Sequence, residues 1–280
     1  MSARHQFRAK KNQKLDDKSA GAHVLGAATD KANSHLSKAQ CKALDREQIQ
    51  ALTEQIAIQQ TMLYAQRKHK VLLVLQAMDT GGKDGTVKAI FNTVNPMGIR
   101  AVAFKSPTPI ELAHDYLWRV HLQVPVFGEV VIFNRSHYED VLITRVQGWI
   151  DDDECQRRYG HIRAFERMLT DTGTVILKVF LHISKDEQRK RLQERLDCPD
   201  KQWKFDPNDV AQRKLWDGYR KAYETAIRAT DCDDAPWYVV PADSKTQRNL
   251  VIASLLLETL QKLNLDFPPP DPKLSKLKVI

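Results

Sequence analysis

The sequence predicts an α/β protein: a three-layer sandwich in which a parallel sheet carries helices on both faces. Three observations point to it. Short apolar runs recur along the chain, segments of helical periodicity separate them, and the first run ends in a glycine-rich turn. Val71-Leu72-Leu73-Val74-Leu75 is wholly apolar and rich in branched residues, the composition of a parallel strand buried on both faces. Val130-Val131-Ile132-Phe133, the stretch Val175 to Ile183 and the stretch Trp237 to Val240 repeat that pattern. Strand and helix taking turns implies crossover helices over both faces, with ligands at the carboxyl ends of the strands. No internal repeat of fixed period is present, which excludes solenoids and propellers.

Taken in order, residues 1–45 mix charge and small side chains without a sustained apolar period and read as a basic arm, flexible or partly ordered. From Gln48 to Lys70, Ile49, Leu52, Ile56 and Met62/Leu63 recur near helical spacing, and Arg67-Lys68-His69-Lys70 suits the negative end of a helix dipole. Thr86 to Phe91 reads as the helix behind the glycine-rich turn. Thr108-Pro109-Ile110-Glu111 is a capping box with proline at the first helical position, and Ile110, Ala113, Leu117 and Val120 then trace one apolar face. Asp151-Asp152-Asp153-Glu154 looks like the acidic first turn of another helix. Ser184-x-x-Glu187 caps a helix bearing Arg189, Lys190, Arg191 and Arg195. After Asp206-Pro207 comes a stripe of Trp216, Tyr219, Tyr223 and Ile227, read as core rather than as a base-stacking platform. Ser244-x-x-Gln247 opens a Leu-rich helix to about Leu263, which Pro268-Pro269-Pro270 cannot continue. The predicted organisation is an arm (1–45), one globular domain (46–265) with a basic helical segment at about 184–208, and an extended tail (266–280).

Composition narrows the function classes. Of 280 residues, 42% are hydrophobic and 28% charged. No apolar run approaches the roughly eighteen residues of a membrane span. Met1 to Lys18 has no apolar h-region, so no signal peptide is expected. The cysteines at 41, 155, 198 and 232 form neither C-x-x-C nor a zinc-spaced cluster, which fits thiols in a reducing cytoplasm. Lys and Arg number 43 against 35 Asp and Glu, a net charge of +8. Nucleic acid, anionic lipid or polymeric phosphate would each match that charge, and a merely solvated basic surface is the plainer alternative. Position along the chain decides among them.

The pointed feature is the turn after the first strand. A phosphate loop, G-x-x-x-x-G-K-[ST], wraps backbone N–H groups around a phosphate, neutralises it with Lys and aims a helix N-terminus at it. Here the stretch is Ala77-x-x-x-x-Gly82-Lys83-Asp84: Ala replaces the first Gly, and Asp84 replaces the usual hydroxyl. The preceding strand, the permissive Gly81, Gly82 and Gly85, and the following helix favour a phosphate loop over a turn that merely packs. A carboxylate beside an anion needs an intervening cation, so Asp79 is a natural Mg²⁺ ligand. The second strand ends in Asn134, where many such enzymes carry a metal-holding Asp; Arg135 suits bidentate grip on phosphoryl oxygens, and Glu139 restores charge near a metal. The basic helix Lys185 to Arg195, with Lys201 and Lys204, is similar to the mobile lid of a nucleotide kinase. Lys88, Lys105, Arg119 and Arg145 add more positive charge than a nucleotide's few phosphates require. The histidines read as ordinary, His137 alone lying near the site in sequence.

Residues 76–88 (Gln-Ala-Met-Asp-Thr-Gly-Gly-Lys-Asp-Gly-Thr-Val-Lys), 104–108 (Phe-Lys-Ser-Pro-Thr), 115–119 (Asp-Tyr-Leu-Trp-Arg), 133–142 (Phe-Asn-Arg-Ser-His-Tyr-Glu-Asp-Val-Leu), 203–205 and 237–243 together resemble the second family of polyphosphate kinases. The resemblance runs from about residue 45 to 265. It implies a P-loop kinase-like fold, thymidylate-kinase-like, with a helical lid. It implies transfer of the terminal phosphate of inorganic polyphosphate to a nucleotide, reversibly, with Mg²⁺ or Mn²⁺ as its substitute. Asp79, Lys83, Asn134, Arg135, Glu139 and Arg195 take catalytic roles in this reading, with Asp79, Asn134 and Glu139 holding metal. Thr80, Gly81, Gly82, Asp84, Gly85, Thr86, Lys88, Lys105, Arg145 and Arg191 contact the phosphate chain, and Arg119, Tyr138 and Asp140 the nucleotide. Asn134 with Glu139 resembles the subgroup that accepts both AMP and ADP, so that AMP is carried to ATP, with guanine nucleotides as further candidates. A cytoplasmic homo-oligomer, dimer or tetramer, is expected, with no membrane or nucleic-acid partner. The attacking phosphate oxygen is already anionic at neutral pH, so no strong base is needed. Two other readings fit the loop: a nucleotide kinase using ATP as donor, and an idle P-loop module binding nucleic acid.

Overall fold

The computed structural model describes residues 2–274 and 277. The chain opens with the one-turn helices α1 (Ala3–Gln6) and α2 (Asp17–Ala20), then the long α3 (Lys38–Gln66) leads into β1 (Lys70–Ala77). There follow α4 (Lys83–Phe91), β2 (Ile99–Ala103), α5 (Pro109–Leu112), α6 (Trp118–His121), β3 (Val130–Asn134), α7 (Ile143–Val146) and α8 (Asp152–Asp171). After β4 (Thr174–His182) come α9 (Lys185–Asp197), α10 (Pro199–Gln202), α11 (Pro207–Arg213) and α12 (Trp216–Thr230), and β5 (Trp237–Pro241) and α13 (Lys245–Gln261) complete the fold. The five strands form one sheet in the order β2-β3-β1-β4-β5, every pair parallel.

The central strand explains the sheet. Val71 to Leu75 are all 0% exposed because both faces of β1 are covered. Leu72 and Val74 meet α8 and α12 on one side, while Val71, Leu73 and Leu75 meet α3, α4 and α13 on the other. Among the described residues no helix is long and apolar enough to cross a membrane, and the four cysteines are free thiols.

Three departures from the sequence reading have physical reasons. The edge strand β2 was not foreseen: its one-sided burial gives no wholly apolar run. Helix α3 starts ten residues before Gln48, at a capping box in which Ser37 and Gln40 satisfy each other's backbone N–H. Its buried stripe interleaves Asp45, Thr53 and Gln60 with Ile49, Ile56 and Leu63, which dilutes the apolar period. The capping box at Thr108 forms as predicted, but α5 lasts one turn, and Asp115 restarts the chain by accepting from Leu117 N and Trp118 N (2.9 and 3.1 Å). Ile110 and Leu112 are consequently exposed.

The N-terminal stretch is tied down by isolated anchors rather than by a periodic face, which is why no apolar period marks it. Glu258 of α13 accepts from Ala3 N, Arg4 N and Ser2 Oγ (2.7, 3.0 and 2.9 Å). Ala9 N donates to Trp237 O and Val239 N to Phe7 O, both at 2.9 Å, so residues 7–9 run antiparallel along the free edge of β5. Arg8 pairs with Asp231 (2.9 Å), and Leu15 is buried. Of the tail, residues 264–270 form neither helix nor strand, and 275, 276 and 278–280 lie outside the described residues.

One buried polar network interrupts the apolar layer beside β4. Lys178 Nζ, 0% exposed, donates to Glu166 Oε2 (2.6 Å), Tyr138 Oη (3.0 Å) and Thr230 O (2.9 Å). Burial alone would raise the Glu166 carboxyl, but Lys178 and His137 outweigh it and hold it below the usual carboxylate range. Glu166→Leu is expected to cost about 3–5 kcal/mol, because it strands a buried ammonium. Urea unfolding of the two proteins measures it, and a loss below about 1 kcal/mol would show that water or relaxation solvates Lys178.

Candidate functional site

β1 ends at Ala77 and the chain turns tightly, Gly81 N donating to Met78 O (3.0 Å), before α4 begins at Lys83. Gly82 sits at φ +100°, a conformation that a side chain would strain. Lys83 Nζ folds back to donate to Ala77 O (3.3 Å), and burial together with the neighbouring Arg135 lowers its pKa. β3 stops two residues short of the end of β1: Leu75 stands opposite Asn134, and Arg135 N donates to Leu75 O (3.1 Å). Two side-chain pairs tie the loops together. Arg135 Nη2 meets Asp79 Oδ1 at 3.1 Å, and Asn134 Nδ2 donates to Asp84 Oδ1 at 2.6 Å.

Three concavities meet at these loops. The first, of about 510 Å³, is walled by Tyr116, Arg119, Asp140, Trp149 and Arg158. A second, of about 180 Å³, lies between Asp79 and α11–α12, against Asp209, Tyr219 and Tyr223. The third is an open groove of about 400 Å³ over the glycine-rich loop, flanked by Lys105, Arg195 and Lys204. Arg135 lines all three. Glu139 stands in the wall shared by the first two, where burial raises its carboxyl pKa against the pull of Arg135 and Lys83.

Most of the predicted residues converge here. Asp79, Thr80, Gly81, Gly82, Lys83, Asp84, Gly85, Lys105, Asn134, Arg135 and Arg195 all line the groove. Arg195 is held by Lys204 O (3.0 Å) and by Asp209 (3.3 Å), whose carboxyl is pushed up to about 6 by burial and by the nearby Asp79. Arg119, in the first cavity, donates to Lys105 O (2.9 Å) and packs its guanidinium on the Phe104 ring.

Other placements correct the sequence reading. Tyr138 is 0% exposed and spends its hydroxyl on Glu166 (2.8 Å) and Thr230 (3.0 Å), so no nucleotide reaches it. His137, equally buried, pairs with Glu166 (3.2 Å) rather than facing the site. Thr86 is fully buried, its hydroxyl without a partner, and Lys88 is exposed on α4; neither lines the groove. Arg145 pairs with Asp152 beside a separate groove near Cys155 and Tyr159. Arg191 cannot swing over a substrate: it donates to Thr80 O, Ala242 O and Asp243 O (3.0, 2.7 and 2.8 Å) and pairs with Glu187. It braces the loop from behind.

Sequence reasoning missed Trp149 and Arg158, isolated residues in no motif, and gave Tyr116 no role although it lies within the 115–119 motif. Arg158 stacks on Tyr116 (4.6 Å to the ring centroid) and donates to Asp140 O (3.0 Å). The aromatic stripe of α12 is part core and part site, since Tyr223 Oη donates to Ala77 O (3.1 Å) and Tyr219 faces the second cavity. Gln188 Nε2 holds Asp79 O (3.1 Å), and only contact across 109 residues reveals it.

For a metal, the donors at the loop mouth are hard oxygens: Asp79, Asp84 and the Asn134 amide. Among the described residues no group of three or more His, Cys, Asp or Glu side chains forms a metal cage. Mg²⁺ asks for less, one or two carboxylates plus substrate phosphates and water. The buried Thr80 hydroxyl in the same loop has no partner, as expected of a cradle built for a ligand.

The family model for polyphosphate kinase 2 matches residues 38–268. An AMP/ADP-polyphosphate phosphotransferase of Meiothermus ruber is 55% identical over 233 residues, 83% of this chain and 87% of that one. An ADP-polyphosphate phosphotransferase of Rhodopseudomonas palustris is 39% identical, covering 97% and 94%. The crystal structure of polyphosphate kinase 2 from Arthrobacter aurescens TC1 superposes with a TM-score of 0.87 at 40% identity, over 99% of this chain and 95% of that one.

Two outcomes follow from these placements. Tyr138→Phe is expected to lower stability by about 1–3 kcal/mol by leaving buried partners unmatched, while KM for any nucleotide substrate stays at the wild-type value; a raised nucleotide KM in steady-state assays would return Tyr138 to the binding site. Asp140 has a folded pKa pushed up to about 6, from 3.8, chiefly by burial. The folded state therefore keeps a proton on Asp140 that the unfolded chain releases, and this carboxyl's contribution to stability falls as pH rises from about 4 to 6. Asp140→Asn should gain stability relative to wild type across that window in denaturant titrations, and a flat difference would contradict the shift.

Proposed function

The chain belongs to the polyphosphate kinase 2 family, and on that premise we propose that it moves the terminal phosphoryl group of inorganic polyphosphate to nucleoside mono- and diphosphates, AMP to ADP and ADP to ATP, and runs the transfer in reverse. The observation that carries the reading is the position of Arg135, common to the loop groove, the small cavity and the larger aromatic-walled cavity. A polymer laid over the glycine-rich loop and a nucleotide in the larger cavity bring donor phosphorus and acceptor oxygen together at its guanidinium.

The acceptor is a phosphate oxygen that carries its charge already, so no residue has to remove a proton. The task is to orient two anions and to spread charge over a loose transition state. Lys83 and Arg135 brace the transferred group, and the N-terminus of α4 faces it with free backbone N–H groups. Lys105, lining both the groove and the larger cavity, steadies the junction. Tyr116, Trp149 and Arg158 offer planar surfaces to a base, and Arg119 a cation to its phosphates. Arg195, in the lid segment 184–208, closes once it leaves Asp209. Mg²⁺, or Mn²⁺ in its place, held by Asp79 with Asn134 and Glu139, would supply charge neutralisation between the two phosphate groups. Acceptance of both AMP and ADP is supported by 55% identity to a relative named for both and by Asn134 with Glu139. Guanine nucleotides as further acceptors and a cytoplasmic homo-oligomer complete the proposal.

The test is to supply purified protein with Mg²⁺ and polyphosphate, and with AMP, ADP, GMP or GDP separately, and to quantify products. ATP is expected from AMP as the sole added nucleotide. Accumulation that stops at ADP removes the dual-acceptor assignment, and a nucleotide pool that gains no phosphate removes the function. Phosphate gained only when ATP is present would favour an ATP-using kinase. Lys83→Ala and Arg135→Ala should each lower kcat by about a hundredfold or more with an unchanged melting temperature.

A further inference from the structure

Behind the glycine-rich loop stands a cation that none of these roles employs. Arg248, in the first turn of α13, is 2% exposed. Its Nε and Nη2 donate to Asn249 Oδ1 (3.1 and 2.9 Å) and its Nη1 to Gly81 O (3.4 Å), all neutral acceptors. Its charged neighbour is Arg191, of like sign; burial and that repulsion push Arg248 down to about 10, which leaves it a cation at neutral pH. Among the described residues no carboxylate pairs with it. The other deeply buried cations differ, since Lys178 has Glu166 and Arg191 has Glu187.

An uncompensated buried guanidinium is costly, and the cost calls for a counter-charge. The loop itself shows which way the charge faces. A Cβ on Gly82 would stand 1.9 Å from Arg248 Nη1, and one on Gly85 3.5 Å from Nη2, so the guanidinium rests against the loop at the place where side chains are missing. Arg248 does not line the groove, whose floor is the backbone between. Gly82 is thus required twice, by its φ of +100° and by the guanidinium beneath it.

We infer that Arg248 is a positioning residue for the phosphate chain: its counter-charge is the polyanion bound on the opposite side of the loop, and its bond to Gly81 O holds the backbone that cradles that anion. The inference rests on the groove being the polyphosphate site. Protein intervening between two charges keeps water out, so the attraction is screened less than across solvent. The free protein bears the cost of the lone cation, and polyphosphate relieves it.

The experiment compares wild type with Arg248→Met, which removes the charge at similar length, and with Arg248→Lys, which keeps it. Affinity for polyphosphate without nucleotide, KM for polyphosphate, KM for ADP and melting temperature are measured for each. Arg248→Met is expected to weaken polyphosphate binding and raise its KM by roughly tenfold or more, with KM for ADP within about twofold. The ligand-free melting temperature should hold or rise, while the rise caused by polyphosphate shrinks. Arg248→Lys should recover most of the binding. Wild-type polyphosphate affinity in Arg248→Met overturns the inference, and so do equal losses in the Met and Lys variants with a lowered melting temperature, the mark of a purely packing role. Should Arg248→Met fail to fold, Arg248→Gln is judged by the same criteria. Wild-type protein that neither binds nor consumes polyphosphate overturns the proposed function itself, whereas wild-type turnover with an unaffected Arg248→Met overturns this inference alone.

Discussion

The site depends on the register of two strands. With Leu75 opposite Asn134, the loop after β3 leaves the sheet beside the last two residues of β1, next to the glycine-rich turn. The ladder extends one bond past the strand through Arg135 N to Leu75 O, which fixes Arg135 at φ +62°. Its guanidinium then meets Asp79 without search. Half-exposed ion pairs of this kind contribute about 0–1 kcal/mol, too little to position a loop by themselves. Backbone geometry does the positioning, and the pair sets the side chain.

Charge is buried in two different ways on the two sides of β1. Toward α8, Lys178 is matched by Glu166 and enclosed by Tyr138, Thr230 and His137, a buried network in which His137 Nδ1 is left without a partner. Around the loop, cations outnumber their partners: Lys83 donates only to a carbonyl and Arg248 only to neutral groups. A protein that needs no proton transfer can spend its ionisable groups on preorganised positive potential, and that is where these residues are placed. The chain's net charge of +8 is therefore less informative than the local shortage of counter-charges.

Much of this was legible in sequence. Four of the five strands announced themselves as apolar runs, and Ser184, Ser244 and Thr108 each cap a helix as their spacing indicates. The edge strand β2 did not, because one-sided burial leaves no apolar run. Motif spacing found Asp79, Lys83, Asn134 and Arg135, since strand ends translate into space almost unchanged. It failed for Tyr138 and Arg191: Tyr138 adjoins Glu139 yet turns into the network around Glu166, and Arg191 shares a helix face with Arg195 but lies one turn deeper, against Ala242 and Asp243. Trp149, Arg158 and Arg248 were invisible, each brought to the site by packing between distant segments.

The clasp between the first ten residues and the last strand and helix bears on the order of assembly. Ala3 N meets Glu258 across 255 positions, and Phe7 O accepts from Val239 N, so both ends of the chain must be present before the seam closes. During synthesis, which proceeds from the N-terminus, residues 7–9 have to wait unpaired for β5 and residues 2–4 for α13. Until residues 7–9 dock, β5 carries an open edge of backbone donors and acceptors, the kind of surface on which neighbouring nascent chains pair with one another. The clasp therefore acts as a completion seal: a chain cut short before α13 has nothing to hold its first turn.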